Sequence, residues 1–274
     1  MKTKSNMMQK GMLLAMAMAF VFGALPMTVY AQDQPAIFAV VDFMKVKQGG
    51  EANYVDLEKT VWKPIHQERI NQGEIIGWIL YGVRYAGADD EYNFVTVALF
   101  DDPAKLEHTF SVDVEKVHPE KDLDELFQKT MDSRQLIRQS LIRRVDAVYP
   151  EGGAGDFKYI QVNYMKVKQG EGGSYVDNEL TVWKPVHQEL INAGSRAGWS
   201  LWEGVFPFGT GMPHDYVTVD YFADFSKLGA ADTEAAFNKA HAGKDMDELF
   251  LSTNNSRSHV RAELWEVLDS VWKE

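Results

Sequence analysis

Two hydrophobic periods take turns along the chain. Over residues 37–46 and 159–167 apolar and polar positions alternate, placing Val41 with Phe43 and Val162 with Tyr164 on one face, as a strand does. Gln48-Gly49-Gly50 and Gln169-Gly170 break those runs. The period then lengthens to that of a helix over about residues 51–71, and Gly73 and Gly194 stand where such helices end. Pro64 and Pro185 fall inside these helices and predict a bend or restart, because proline removes an amide donor. Residues 78–85 and 94–100 predict a hairpin around Gly87-Ala88-Asp89-Asp90, and Gly209-Thr210-Gly211-Met212-Pro213 takes that place later. A loop with helical stretches, a helix near residues 123–131 and a last strand over about 135–145 complete the pattern. Residues 258–267 read as the equivalent last strand.

The pattern is written twice. Met44-Lys45-Val46-Lys47-Gln48 returns at 165–169, a lag of 121, and the nine residues from Thr60 to Glu68 return at 181–189 with Val186 in place of Ile65. Gly77-Trp78 returns as Gly198-Trp199, Val95-Thr96-Val97 as Val217-Thr218-Val219, and Ser133-Arg134 as Ser256-Arg257. The lag drifts only from 121 to 123 over the whole unit, which reads as a tandem duplication. A period above 100 residues makes each copy a domain rather than a solenoid repeat. The expected division is a first repeat over 36–148, a turn-rich linker over 149–157 and a second repeat over 158–271.

This element order is β-α-β-β-α-β, the ferredoxin-like arrangement. One such unit leaves a bare sheet face, which a second copy can cover. On element order and duplication, residues 37–271 resemble the dimeric α/β-barrel superfamily of antibiotic-biosynthesis-monooxygenase type, which also includes haem-degrading enzymes, muconolactone isomerases and chlorite dismutases. No catalytic motif of a named member is matched. The resemblance implies an α+β fold in which two tandem ferredoxin-like repeats form an intrachain dimeric α/β barrel, with a small-molecule pocket between helices and sheet.

The beginning of the chain changes the setting. Lys2, Lys4 and Lys10 precede an apolar run over residues 12–25, and Val29-Tyr30-Ala31 offers a small-residue cut site, so residues 1–31 read as a secretory signal peptide. The run is shorter than the roughly 20 residues a membrane span needs. Loss of a leader with three lysines and no acid would take the formal charge from −12 to −15. The expectation is an exported protein, periplasmic or extracellular, with no membrane attachment after cleavage. So acidic a chain argues against nucleic acid as a partner. The absence of cysteine excludes disulfides, thiolate metal sites and a cysteine nucleophile. Histidine spacing for a metal is also missing, and none is expected.

Candidate chemistry comes from positions kept in both copies. On the first helix Tyr54, Val55, Val61, Trp62 and Ile65 make one apolar arc, with Glu58 inside it and His66 at its edge. Glu58, Trp62 and His66 therefore form a row along one face, repeated by Glu179, Trp183 and His187. Glu58 and His66 lie about 12 Å apart along a helix, too far for a direct dyad. A carboxylate in an apolar stripe must be paired, hydrogen-bonded or protonated, and Arg134 and Arg257 are the best duplicated partners. These Glu–Arg pairs read either as acid/base groups and ligand anchors or as structural ties, the commoner role. His118 and His241 are the other duplicated histidines, for which a hydrogen-bonded structural role competes with a place in the pocket. His108, His214 and His259 have no counterpart and read as surface residues. Trp62 and Trp183 are expected to be buried core residues, though with Trp78, Trp199 and Trp202 they could floor an aromatic pocket.

The functional expectation is an exported soluble protein with a small-molecule pocket, monooxygenase-like, working as a monomeric pseudo-dimer or a homo-oligomer. The alternative is a non-catalytic protein that holds a small ligand, or haem with His66, His187, His118 or His241 as axial ligand. The acidic surface disfavours haem propionates, and export disfavours chemistry that needs NAD(P)H or ATP.

Overall fold

Every strand pairs on both sides, and the ring closes. The computed structural model of the chain describes residues 36–274, apart from 109, 152, 154 and 155; the expected signal peptide, residues 1–31, and the side chain of His108 lie outside the described residues. The first set of elements is β1 (Phe38–Lys45), α1 (Glu51–Leu57), a π-helical turn (Glu58–Trp62), α2 (Lys63–Asn71), β2 (Gly77–Val83), β3 (Phe94–Phe100), α3 (Val114–Val117), α4 (Leu123–Ser133) and β4 (Gln135–Val148). The second set is β5 (Tyr159–Val167), α5 (Gly172–Asn178), a π-helical turn (Glu179–Trp183), α6 (Lys184–Asn192), β6 (Gly198–Phe206), β7 (Tyr216–Phe222), α7 (Thr233–Ala240), α8 (Met246–Ser256) and β8 (Arg257–Trp272).

The strands run β1-β3-β2-β8-β5-β7-β6-β4 around a closed barrel, and each pairing is antiparallel. Four strands of the first set alone would end in two open edges, β2 and β4. Both edges are covered by the other set: β2 pairs with the far end of β8, and β4 pairs with β6. Closure of this kind removes exposed edges altogether. It also explains why β4 and β8, with 14 and 16 residues, outrun the strands read from sequence. Each serves two neighbours: β8 pairs with β5 over residues 257–266 and with β2 over 265–272. That double duty leaves no clean alternation to read. Two ion pairs tie each half's helix to the other half's long strand, Lys63 to Asp269 at 2.6 Å and Lys184 to Asp146 at 2.7 Å.

Two glycines at the seams are demanded by close approach. A Cβ on Gly77 would meet the Trp272 ring at 2.6 Å, and one on Gly198 would meet the Tyr149 ring at 2.5 Å. The core has an inner and an outer part. Inside the barrel, Val41, Phe43 and Tyr81 pack with Val162, Tyr164, Trp202 and Trp265, contributed by both halves. Outside it, helices cover each half: Tyr54, Ile75 and Trp78 anchor one layer, and Tyr175, Trp199 and Leu201 the other.

The proline-bearing helices neither stop nor break. Just before each proline the helix widens by one π turn, in which Lys63 N–H donates to the Glu58 carbonyl and Lys184 N–H to that of Glu179. Proline then sits in the first turn of α2 and α6, where its missing donor is harmless. Such π turns are uncommon and recur at functional sites.

Candidate functional site

Each π turn begins with the duplicated glutamate. Glu58 is 4% exposed, and burial pushes its carboxyl up to about 7, with Asp42 adding to the rise. The Tyr54 hydroxyl and the Arg134 guanidinium beside it pull the other way. Tyr54, one helical turn earlier, is fully buried, and burial and the Glu58 charge hold its hydroxyl protonated. The Tyr54 hydroxyl turns to the Glu58 carboxyl, while the buried Arg134 Nε has no hydrogen-bond partner among the described residues. Arg134 therefore acts on Glu58 through its field and closes no ion pair, a correction to the direct Glu–Arg tie read from sequence. An unpartnered buried guanidinium N–H near a carboxyl that titrates near neutrality is costly to maintain for packing alone.

Two turns on from Glu58, His66 stacks on the buried Trp78 ring, centroids 4.8 Å apart and 15° between planes. Its Nδ1 accepts from the Arg69 guanidinium at 3.2 Å, which fixes a neutral ring with the proton on Nε2. Burial, then Arg69, lowers its pKa to about 3. Trp62 turns toward α4, where its Nε1 donates to Thr130 Oγ1 at 3.1 Å.

The second half repeats this. Glu179, 4% exposed, is likewise pushed up to about 7 by burial and Asp220, against Arg257 and Tyr175. The Tyr175 hydroxyl again turns to the glutamate, and Arg257 Nε is again without a hydrogen-bond partner among the described residues. His187 stacks on Trp199 at 4.9 Å and 13°, accepts from Arg196 at 2.6 Å, and is held neutral by burial and that arginine. Trp183 Nε1 donates to Thr253 Oγ1 at 2.7 Å.

The structure thus brings Arg134 near Glu58 and Arg257 near Glu179, while His66 and His187 stand further along the same helices with Arg69 and Arg196. It draws the other candidates elsewhere. His118 and His241 donate Nε2–H to the π-turn carbonyls of Val61 and Val182 at 2.9 and 2.8 Å, tying the second helical region to the first helix. Trp62 and Trp183 are half-buried rather than buried; the core tryptophans are Trp78 and Trp199. His214 is not a surface residue: it packs edge-on against Tyr164 inside the barrel, and burial with Arg138 and Arg261 lowers its pKa to about 4. Sequence reasoning missed Tyr54 and Tyr175, whose signal was a duplicated tyrosine four residues before a duplicated glutamate. It also missed Asp42, Arg69, Arg196 and Asp220, which occupy no matching positions in the two copies.

A hollow lies inside the barrel, about 320 Å³ in volume and walled largely by apolar and aromatic side chains. Of the pocket candidates read from sequence, only Trp202 lines it. At one end Glu263 accepts from Tyr92, Tyr164 and Trp265 Nε1, at 2.7, 3.1 and 2.9 Å, and pairs with Arg261 at 2.9 Å.

The fold, a closed eight-stranded antiparallel barrel with helices outside it, is shared with solved structures. A solved structure from Fusobacterium nucleatum, described as a "putative monooxygenase", matches with a TM-score of 0.58 at 11% identity, over 88% of this chain and 96% of that one. A protein of the same description from Lactobacillus acidophilus matches with a TM-score of 0.53 at 10% identity, over 88% and 97%. Likeness at this identity concerns fold alone. No protein-family model matches the chain, and no curated protein sequence does.

Proposed function

We propose that this is an exported small-molecule protein of monooxygenase-like barrel type, descended from a tandem duplication, with one proton-transfer site between helices and sheet in each half. The observation that carries the reading is the buried glutamate held at about 7 in both halves, with a tyrosine hydroxyl turned to it and an unpartnered arginine Nε nearby. A general base works best when its pKa lies near the operating pH. Glu58 and Glu179 would take a proton from a bound molecule that carries a weakly acidic O–H, or a C–H next to a carbonyl or aromatic ring. Tyr54 with Arg134, and Tyr175 with Arg257, would donate hydrogen bonds to the anion so formed. The neutral His66 and His187 offer an Nε2–H, and their Trp stacks hold the rings in place.

Haem enters no step of this reading. Iron ligation at His118 or His241 would cost the bond to a π-turn carbonyl, and His66 and His187 already give Nδ1 to a guanidinium. The test is a panel of hydroxyaromatic and enolisable compounds incubated in air with the purified mature chain, with product mass followed against pH. The reading expects turnover rising through about pH 7 and lost in the double variant Glu58→Gln/Glu179→Gln. Turnover unchanged in that variant, or a Soret band in the purified protein, would overturn it.

A further inference from the structure

We propose that the barrel interior is a separate binding site for a small monocarboxylate with a hydrocarbon body, its carboxylate paired with Arg144. Four observations point there. The hollow is large enough for roughly ten waters and falls at the low end of small-molecule pockets, about 300–1,000 Å³. Its walls, among them Val41, Ile142, Val162 and Trp265, give that much water almost nothing to bond, so an apolar body is the favoured filling. Arg144 is the one residue of its lining that carries a full charge, since His214 is neutral. Its guanidinium has no ion-pair or hydrogen-bond partner among the described residues, and an unpaired charge at a low-dielectric wall calls for a counter-ion.

The two halves show how this came about. On β4 the inward-facing residues Ser140, Ile142 and Arg144 correspond to Glu263, Trp265 and Val267 on β8. Each half therefore carries one charge on this face of its long strand, of opposite sign and at a different level. Val41 pairs with Ser140 and Val162 with Glu263, while the Arg144 amide bonds to Ile37, beyond the start of β1. Glu263 is saturated by its four donors and asks for nothing more. Arg144 is left open. The negative surface does not forbid an anion here, because surface charge is screened within about 8 Å at physiological salt while the Arg144 contact is direct.

The test uses decanoate, with decan-1-ol as its uncharged match, added to the full mature chain and followed by tryptophan fluorescence, since Trp202 and Trp265 line the hollow. One decanoate should bind per chain. Arg144→Val, which copies Val267 of the other half, should weaken decanoate at least tenfold and leave decanol unchanged. Ile142→Trp, which copies Trp265, should abolish binding of both by filling the space. Glu58→Gln/Glu179→Gln should leave decanoate binding intact, so this site and the helix–sheet sites stand or fall independently. Absence of saturable decanoate binding, two sites per chain, or equal affinity in Arg144→Val would overturn the proposal; should Ile142→Trp not fold, the Arg144→Val comparison alone decides.

Discussion

The two helix–sheet sites reach the same electrostatic arrangement with different residues. In the first half the acid near the glutamate comes from β1, Asp42, and the guanidinium on the histidine comes from α2, Arg69. In the second half the acid comes from β7, Asp220, and the guanidinium from the loop before β6, Arg196. At the matching positions stand residues that cannot substitute: Asn163 for Asp42, Leu190 for Arg69, Ile75 for Arg196 and Ala98 for Asp220. Four positions have exchanged their roles, yet both halves keep a neutral histidine stacked on tryptophan and a buried glutamate lifted to about 7. The arrangement therefore matters more than any single charged residue. The halves still differ in tightness. Asp220 is buried, bonded to Arg196 and to Asn163 Nδ2, whereas Asp42 is half-buried and takes its hydrogen bond from Gln139 at 2.7 Å.

That difference is open to direct attack. The largest effect should follow from Arg196→Leu, which strands the buried Asp220 and should cost about 3–5 kcal/mol in denaturant unfolding. Arg69→Leu should cost less, because its ion-pair partner Glu74 keeps the bonds from Ser111 and is less deeply buried than Asp220. Equal losses would break the claimed asymmetry. Moving the first half's solution into the second, with Leu190→Arg, Asn163→Asp, Arg196→Ile and Asp220→Ala together, should recover most of what Arg196→Leu loses.

Next in size is the effect of the glutamates themselves. The ordinary value is 4.5 and the folded value about 7, so the native chain holds extra protons between those limits. Their contribution to stability therefore falls as pH rises from about 4.5 to 7, and the full cost, about 3 kcal/mol for each, is present above 7. Glu58→Gln and Glu179→Gln should each raise stability at pH 8 and change it little at pH 4, as read by unfolding at the two pH values. A glutamine variant less stable at both would mark that glutamate as a structural tie. The smallest effect belongs to the half-buried tryptophans: Trp62→Phe, which removes the bond to Thr130, should cost about 1 kcal/mol, and Trp183→Phe the same. A loss as large as that of a core tryptophan, about 3–5 kcal/mol, would return them to the core role read from sequence.

Much of the fold was legible because its signals are local. The alternation of β1 and β5, the long first helices and the glycines at 73 and 194, with φ of +73° and +69°, all follow from residues close in sequence. The ring closure was not, since β2–β8 and β4–β6 join residues nearly two hundred and about sixty positions apart, and nothing in β8 marks where one partner gives way to the other. The site divides in the same way. Glu58, His66 and Arg134 were found because the two copies repeat them. Asp42, Arg69, Arg196 and Asp220 were hidden because a search for repeated positions discards residues that do one job from different places. Arg144 and Glu263 were hidden for the same reason, each facing an uncharged residue in its counterpart.

The central claim is that each half keeps a buried carboxyl poised to exchange a proton near neutrality. Its most direct test is a carbon-13 titration of the glutamate side-chain carboxyls, assigned by the Glu58→Gln and Glu179→Gln variants. Two signals with midpoints near pH 7, each vanishing in its own variant, are the predicted result. Midpoints near 4.5 for both would show ordinary ionised carboxylates and contradict the account.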